Sequence, residues 1–167
     1  MIIIPEIMVP IVRDVRTKDE RDMFREQINE LEAALFHSDS KIFDDVLTAR
    51  LPKSMTDKMR EIIARPEFKD NTQALRKFFQ DFKDTLDMFF LLKINIAFKP
   101  SEQMIDRLHD WTQQNLGLGV VLDINYDGSI LGGARIIFSG KYKEMTLAQM
   151  ITDALAKEKI TVMGMIK

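Results

Sequence analysis

Cysteine is absent from this 167-residue chain, which excludes disulfides, thiol nucleophiles and thiolate zinc sites together. Histidine is nearly absent too, with two residues, His37 and His109. They fall on separate predicted helices with no partner at ligand spacing, so neither zinc nor iron is expected. Charge of one sign is not in excess: 24 Lys and Arg stand against 26 Asp and Glu, a net of −2. A nucleic-acid binder would present a basic face to phosphate, and this balance argues against one. Long hydrophobic runs are also lacking. The longest, residues 88–92, falls far short of the ~20 needed to cross a bilayer. Residues 1–6 are apolar but carry no basic n-region and are interrupted by Pro5 and Glu6, so a signal peptide is not expected. No Gly-x-Ser-x-Gly elbow, P-loop or His-Glu-x-x-His occurs.

What is present suits an ordered globular chain. Hydrophobic residues make up 46% and charged residues 30%, too apolar and too neutral for disorder. The length suits one domain or two small ones, able to bury roughly 70% of the extended chain's surface. Residues 2–4 and 7–9 predict a short extended segment broken by Pro5. Thr17-Lys18-Asp19-Glu20 has the form of a capping box. Behind it Phe24, Ile28, Leu31 and Leu35 form one apolar stripe, predicting a helix to about Phe36. A shorter helix is expected after Asp39, with Ile42, Phe43, Val46 and Leu47 inward. A third, capped by Ser54, carries Met55, Met59, Ile62 and Ile63 and is stopped by Pro66. A fourth runs from Asn71 with Leu75, Phe78, Phe79, Phe82, Leu86 and Phe89 at helical spacing, a stripe best explained as bundle core.

Near Leu92 the period changes to two. Ile94, Ile96 and Phe98 alternate with Lys93, Asn95 and Ala97, which predicts a half-buried strand. Ser101 caps a helix whose buried face is expected to be Met104, Ile105, Leu108 and Trp111, ended by Gly117. Val120, Leu122 and Ile124 predict a second strand. Asp127-Gly128 marks a turn, and Ala134, Ile136 and Phe138 predict a third strand. Ser139-Gly140 turns the chain again, and Thr146 caps a last helix bearing Leu147, Met150, Ile151 and Leu155. The expected class is α+β: a helical domain with a short extended start over residues 1–91, then a β-α-β-β-α domain over 92–167. The apolar residues 160–166 predict either a last strand packed on that domain or a contact for a partner helix.

No chemistry assembles from these parts. Asp44, Asp45, Asp81, Asp84 and Asp87 are placed on exposed helix faces, whereas paired acids for proton transfer need a desolvated cleft. His109 precedes Asp110 and Trp111, but no nucleophile completes a set, so it is assigned to the surface beside a buried Trp111. Gly117-Leu118-Gly119 sits between a helix and a strand, the reverse of the order a phosphate loop requires. The most distinctive segment runs from Asp127-Gly128-Ser129 through Ile130 and Leu131 to Gly132-Gly133. Tandem glycines opening a strand serve a bulge, a positive φ or close backbone approach; a ligand-binding role is the alternative.

This segment, with its surroundings, resembles the C-terminal region of the delta subunits of F-type ATP synthases and of the related oligomycin-sensitivity-conferring protein. That region has a strand, a helix, a strand, an Asp-Pro-Ser-Leu-Ile-Gly-Gly segment, another strand, then a Gly, an acidic residue and a Ser/Thr before a final helix. Here Asp127, Ser129, Gly132 and Gly133 match the signature, with Gly128 at the usual proline. Gly140, Glu144 and Thr146 match the closing part with one residue fewer. The likeness covers residues 92–156. The N-terminal half departs from the family, lacking its Tyr-Ala-x-Ala-Leu opening and showing about four helices in place of six.

The resemblance implies a non-catalytic stator subunit without cofactor. Its implied partners are the catalytic alpha and beta subunits and the stalk b subunit. It would lie peripherally at the cytoplasmic face, with no direct membrane span and no nucleic acid. Its work would be done by apolar contact and stiffness, and eleven methionines give adaptable contact faces. Two alternatives stand beside it. One is a small regulatory domain whose Gly132-Gly133 lines an anion site. The other is the E-type stalk subunit of V/A-type enzymes, whose long initial helix is at odds with Pro52 and Pro66.

Overall fold

The computed structural model of the chain describes residues 2–36, 40–69 and 71–153, the side chains of Ser40 and Ile42 excepted. His37, Asp39, the inward face assigned to Ile42, Leu155 and the apolar residues 160–166 lie outside the described residues.

The chain is α+β. Its first element corrects the expected extended start: a 3-10 turn, Glu6–Met8, leads into a short helix α1, Val9–Val12. Pro10 sits within the first two positions of α1, where its missing N–H costs no hydrogen bond and its fixed φ suits a helix. Helix α2, Lys18–Ala34, opens on the expected capping box: Glu20 N–H donates to Thr17 Oγ1, and the Glu20 carboxylate accepts from Thr17 N–H. Helix α3 spans Ser40–Arg50 and α4 spans Lys53–Ile63. Ser54 does not cap α4; Pro52 occupies the cap position without a side-chain bond. Helix α5, Thr72–Asp87, is capped by Asn71, whose Oδ1 accepts from Ala74 N–H at 3.0 Å.

These helices share one core with the N-terminal turn. Phe24, Ile28, Leu31, Leu47, Met59, Phe79, Phe82 and Leu86 are almost wholly buried, together with Ile11 and Val15. The aromatic stripe of α5 is therefore core packing. Phe82 meets Phe24 edge-on with centroids 5.5 Å apart, and Phe79 stacks on Phe43 at 6.3 Å. Such pairs add to the area they bury. Lys83, also buried, donates to Glu32 at 2.6 Å and ties α5 to α2.

The sheet has four strands in the order β2-β1-β3-β4: β1 Phe90–Ile96, β2 Val120–Tyr126, β3 Gly133–Phe138 and β4 Lys141–Thr146. Strands β1 and β2 are parallel, joined by helix α6, Glu102–Leu116, while β3 and β4 run antiparallel. The segment expected to be β-α-β-β-α thus holds one more strand, β4, before a helix at 147–153. Strand β1 stops at Ile96, and Phe98 is exposed beyond its end.

Alternation sets the two sheet faces. Leu92, Ile94, Val120 and Leu122 form a second core with Ile105, Leu108 and Leu116 of α6. Val121, pointing the other way, is buried in the helical core, with Leu91 packed against it. No helix among the described residues is long and apolar enough to cross a membrane.

Phe79→Ala removes a fully buried ring from the centre of the helical core. We expect it to cost about 3–5 kcal/mol, measured as a lowered urea midpoint with an unchanged slope.

Candidate functional site: the double-glycine hairpin

The residues singled out between Asp127 and Thr146 come together in one structural unit. Asp127 closes β2 with a local turn: its Oδ1 accepts from Ser129 N–H at 2.9 Å and from Ser129 Oγ at 2.6 Å. Arg135 on β3 reaches back, with Nη1 3.2 Å from Asp127 Oδ2 and Nε 3.4 Å from Glu144 Oε1 on β4. Glu144 also accepts from Thr146 Oγ1 at 2.8 Å and from the Tyr142 hydroxyl at 2.7 Å. One guanidinium therefore links the turn before β3 to the strand after it.

Arg135 and Glu144 are register partners in the β3–β4 ladder, so the pair bonds across adjacent strands at no cost in alignment. Thr146 is buried and, besides meeting Glu144, accepts from Gln149 N–H at 3.2 Å. It caps the closing helix as expected.

The glycines serve backbone geometry. Gly133 has φ +90, and a Cβ there would lie 2.0 Å from the Met145 carbonyl oxygen. Only glycine allows the two strands to approach so closely. The neighbouring Gly132 carbonyl accepts from Leu147 N–H at 2.8 Å, fixing the start of the closing helix. Ser139 and Gly140, both at positive φ, form the two-residue connection between the paired Phe138 and Lys141.

Electrostatics follow these bonds. Donation from Ser129, first from its hydroxyl and then its backbone, holds Asp127 below the usual carboxylate range. The Tyr142 and Thr146 hydroxyls, with Arg135 behind them, do the same for Glu144, and Glu144 in turn raises the Tyr142 phenol. The two carboxylates are held ionised and the phenol protonated, each in a hydrogen bond within the unit, an arrangement that stiffens a hairpin. A proton-transfer site would instead leave an acid or base free to exchange.

Residues outside the hairpin fall differently. Asp44, Asp45, Asp81, Asp84 and Asp87 are exposed; Asp44 pairs with Arg60 and Asp87 with Arg25. The assignment of α6's faces is corrected. Trp111 is 53% exposed, whereas His109 and Thr112 are buried. His109 Nε2 lies 3.0 Å from the Arg13 carbonyl, which Gln113 Nε2 also approaches at 2.9 Å. The helix is turned so that polar side chains hold the N-terminal segment. His109 Nδ1 has no partner among the described residues, and no group of His, Asp and Glu among them could hold a metal ion.

The surface next to the hairpin is apolar. Leu131, Leu147, Met150 and Ile151 are all exposed, and Leu147 Cβ would sit 3.6 Å from a Cβ at Gly132. Periodicity places Leu147, Met150 and Ile151 on one helical face, and these three side chains are exposed. No protein-family model matches this chain, and no curated protein matches it.

Two outcomes test the hairpin. Gly133→Ala combines strained φ with a backbone clash, and we expect a loss of about 2–5 kcal/mol in chemical denaturation. Gly117→Ala, also at positive φ but facing open space, should cost only about 1 kcal/mol. The second concerns titration. Both carboxylates ionise more readily folded than unfolded, so their stabilising contribution is full above the ordinary carboxylate range and fades as pH falls below about 4. In a carboxyl-carbon NMR titration, Ser129→Ala should raise the Asp127 midpoint, and Tyr142→Phe should raise that of Glu144.

Proposed function

We propose that this chain is a non-catalytic stator subunit of the F-type ATP synthase delta kind. It would join the catalytic hexamer of alpha and beta subunits to the membrane-anchored b stalk at the cytoplasmic face, in a proton- or sodium-translocating enzyme. The observation that carries the reading is the use to which the signature residues are put. Asp127, Ser129, Gly132, Gly133, Gly140, Glu144 and Thr146 all act within one hairpin, fixing its turn, its strand approach and the launch of the helix after it. A subunit that resists torque needs interlocked backbone and ion pairs, and it needs no turnover.

The open apolar face of Leu131, Leu147, Met150 and Ile151 supports the same reading. Exposed apolar side chains that cluster mark protein contacts; Leu147, Met150 and Ile151 lie on the closing helix that the signature holds in place, and Leu131 lies in the segment leading to its glycines. The regulatory-domain reading has less support. The space beside Gly133 is taken by the Met145 carbonyl oxygen, a group that repels anions. The E-type stalk reading calls for a long first helix, and among the described residues the longest helix in this half is the 17-residue α2.

Affinity capture of the tagged chain from native membranes tests the proposal. Alpha, beta and b subunits should co-elute in near-stoichiometric amounts. Recovery of the chain without them, together with a specific thermal shift on adding nucleotide or phosphate, would overturn it in favour of the regulator.

A further inference from the structure

Strand β2 is an edge of the sheet, and its backbone shows which of its groups are spoken for. Phe90 N–H donates to the Gly119 carbonyl, and Asp127 N–H donates to the Ile96 carbonyl. In a parallel ladder the N–H and C=O of one residue point to the same side, and successive residues alternate. The odd-numbered residues of β2 therefore bond to β1, and Leu122, Ile124 and Tyr126 turn theirs outward. Leu122 is satisfied: its N–H donates to Arg16 at 2.9 Å, and Thr17 forms a lone parallel bridge beside it. At Lys18 the neighbouring chain leaves to become α2. Ile124 and Tyr126 have no backbone partner among the described residues.

A groove of about 650 Å³ runs along this open stretch, between the first turns of α2 and α6. Its two sides differ in chemistry. Even-numbered side chains of β2 face α6, so that side offers Ile124, with Ile105 and Pro100 beside it. The other side carries Asp123 and Asn125, which belong to the opposite sheet face. Lys18 and Lys99 also line the groove, with no ion pair among the described residues.

We infer that the outer edge of β2 is a docking site for an extended peptide segment of another protein, added as a further strand. The stub at Arg16–Thr17 already makes the first rung of that strand, and the incoming segment continues the line from which α2 departs. Its backbone bonds to Ile124 and Tyr126, and its side chains alternate. Apolar residues face Ile105, Ile124 and Pro100, while polar ones face Asp123 and Asn125. Main-chain pairing gives the attachment and the alternating sides give the selectivity, as in other strand additions. The inference does not rest on the stator reading, since it needs only the open ladder and the groove.

Proline supplies the test, because it removes an outward N–H on an edge strand and leaves the inner ladder in place. The probe is a phage-displayed library of random octapeptides selected on the full chain. Enriched peptides should carry apolar residues at alternate positions and slow amide exchange at Ile124 and Tyr126. Tyr126→Pro should weaken them at least tenfold, with circular dichroism and the amide spectrum of the helical core unchanged. Tyr126→Ala keeps the N–H and should stay within threefold. The proposal is overturned if no sequence is enriched, or if Tyr126→Pro binds as well as the unaltered chain. Equal loss in Tyr126→Ala would overturn it too, since the side chain would then be the contact. So would self-association through this edge in sedimentation, which would make a second copy the occupant. Amide exchange on the unaltered protein decides the matter even if Tyr126→Pro fails to fold.

Discussion

Everything in this fold depends on burying the first half of the β1–β2 pair from both sides. Residues 89–92 and 120–122 are continuous apolar runs, the mark of parallel strands with both faces covered, and all but the half-exposed Phe90 and partly buried Leu91 are buried. One face takes α6 through Leu92, Val120 and Leu122, and the other takes the helices through Val121 and Leu91. Further along, Lys93, Asn95, Asp123 and Asn125 show where the second cover ends. Among the described residues the helical core meets the sheet through the start of the β1–β2 pair, while β3 packs on the second core through Ala134, Ile136 and Phe138.

The N-terminal segment completes that joint. Arg16 bonds to Glu20 on α2 and to Glu102 and Asp106 on α6, the last at 2.6 Å. Its carbonyl meets Leu122, and three residues earlier the Arg13 carbonyl is held by His109 and Gln113. A short stretch of chain therefore connects α2, α6 and β2 at once. In a brace this is where load passing between the helices and the sheet would be carried. Exposed ion pairs contribute little singly, but these share partners with backbone bonds that are already fixed.

Much of this was legible in residue order. The stripes of α2 and α5 placed Phe24, Ile28, Phe79 and Phe82 in the core, and of the caps expected, those at Thr17, Ser101 and Thr146 form while that at Ser54 does not. The turns at Asp127-Gly128 and Ser139-Gly140 were legible because their chemistry is local. Strand β4 was not, since Lys-Tyr-Lys-Glu-Met-Thr has no apolar alternation; it is held by the ladder to β3 and by Arg135–Glu144. The orientation of α6 was hidden for a different reason. Hydropathy assigns Trp111 inward and His109 outward, but the helix contacts both the sheet and a polar backbone segment. Hydrogen bonds to Arg13 decide which residues are enclosed. The seat of the proposed docking edge was likewise out of reach, because it depends on which backbone groups face outward.

The placement of Trp111 has a practical side. It is the chain's single tryptophan, and it sits on the solvent side of α6, away from the phenylalanine core. Its exposure leaves the indole partly hydrated in the native state, so intrinsic fluorescence is expected to respond weakly to loosening of the helical half. The same ring is a sensitive local probe of anything that comes to lie against the outer surface of α6, and no label need be introduced to use it.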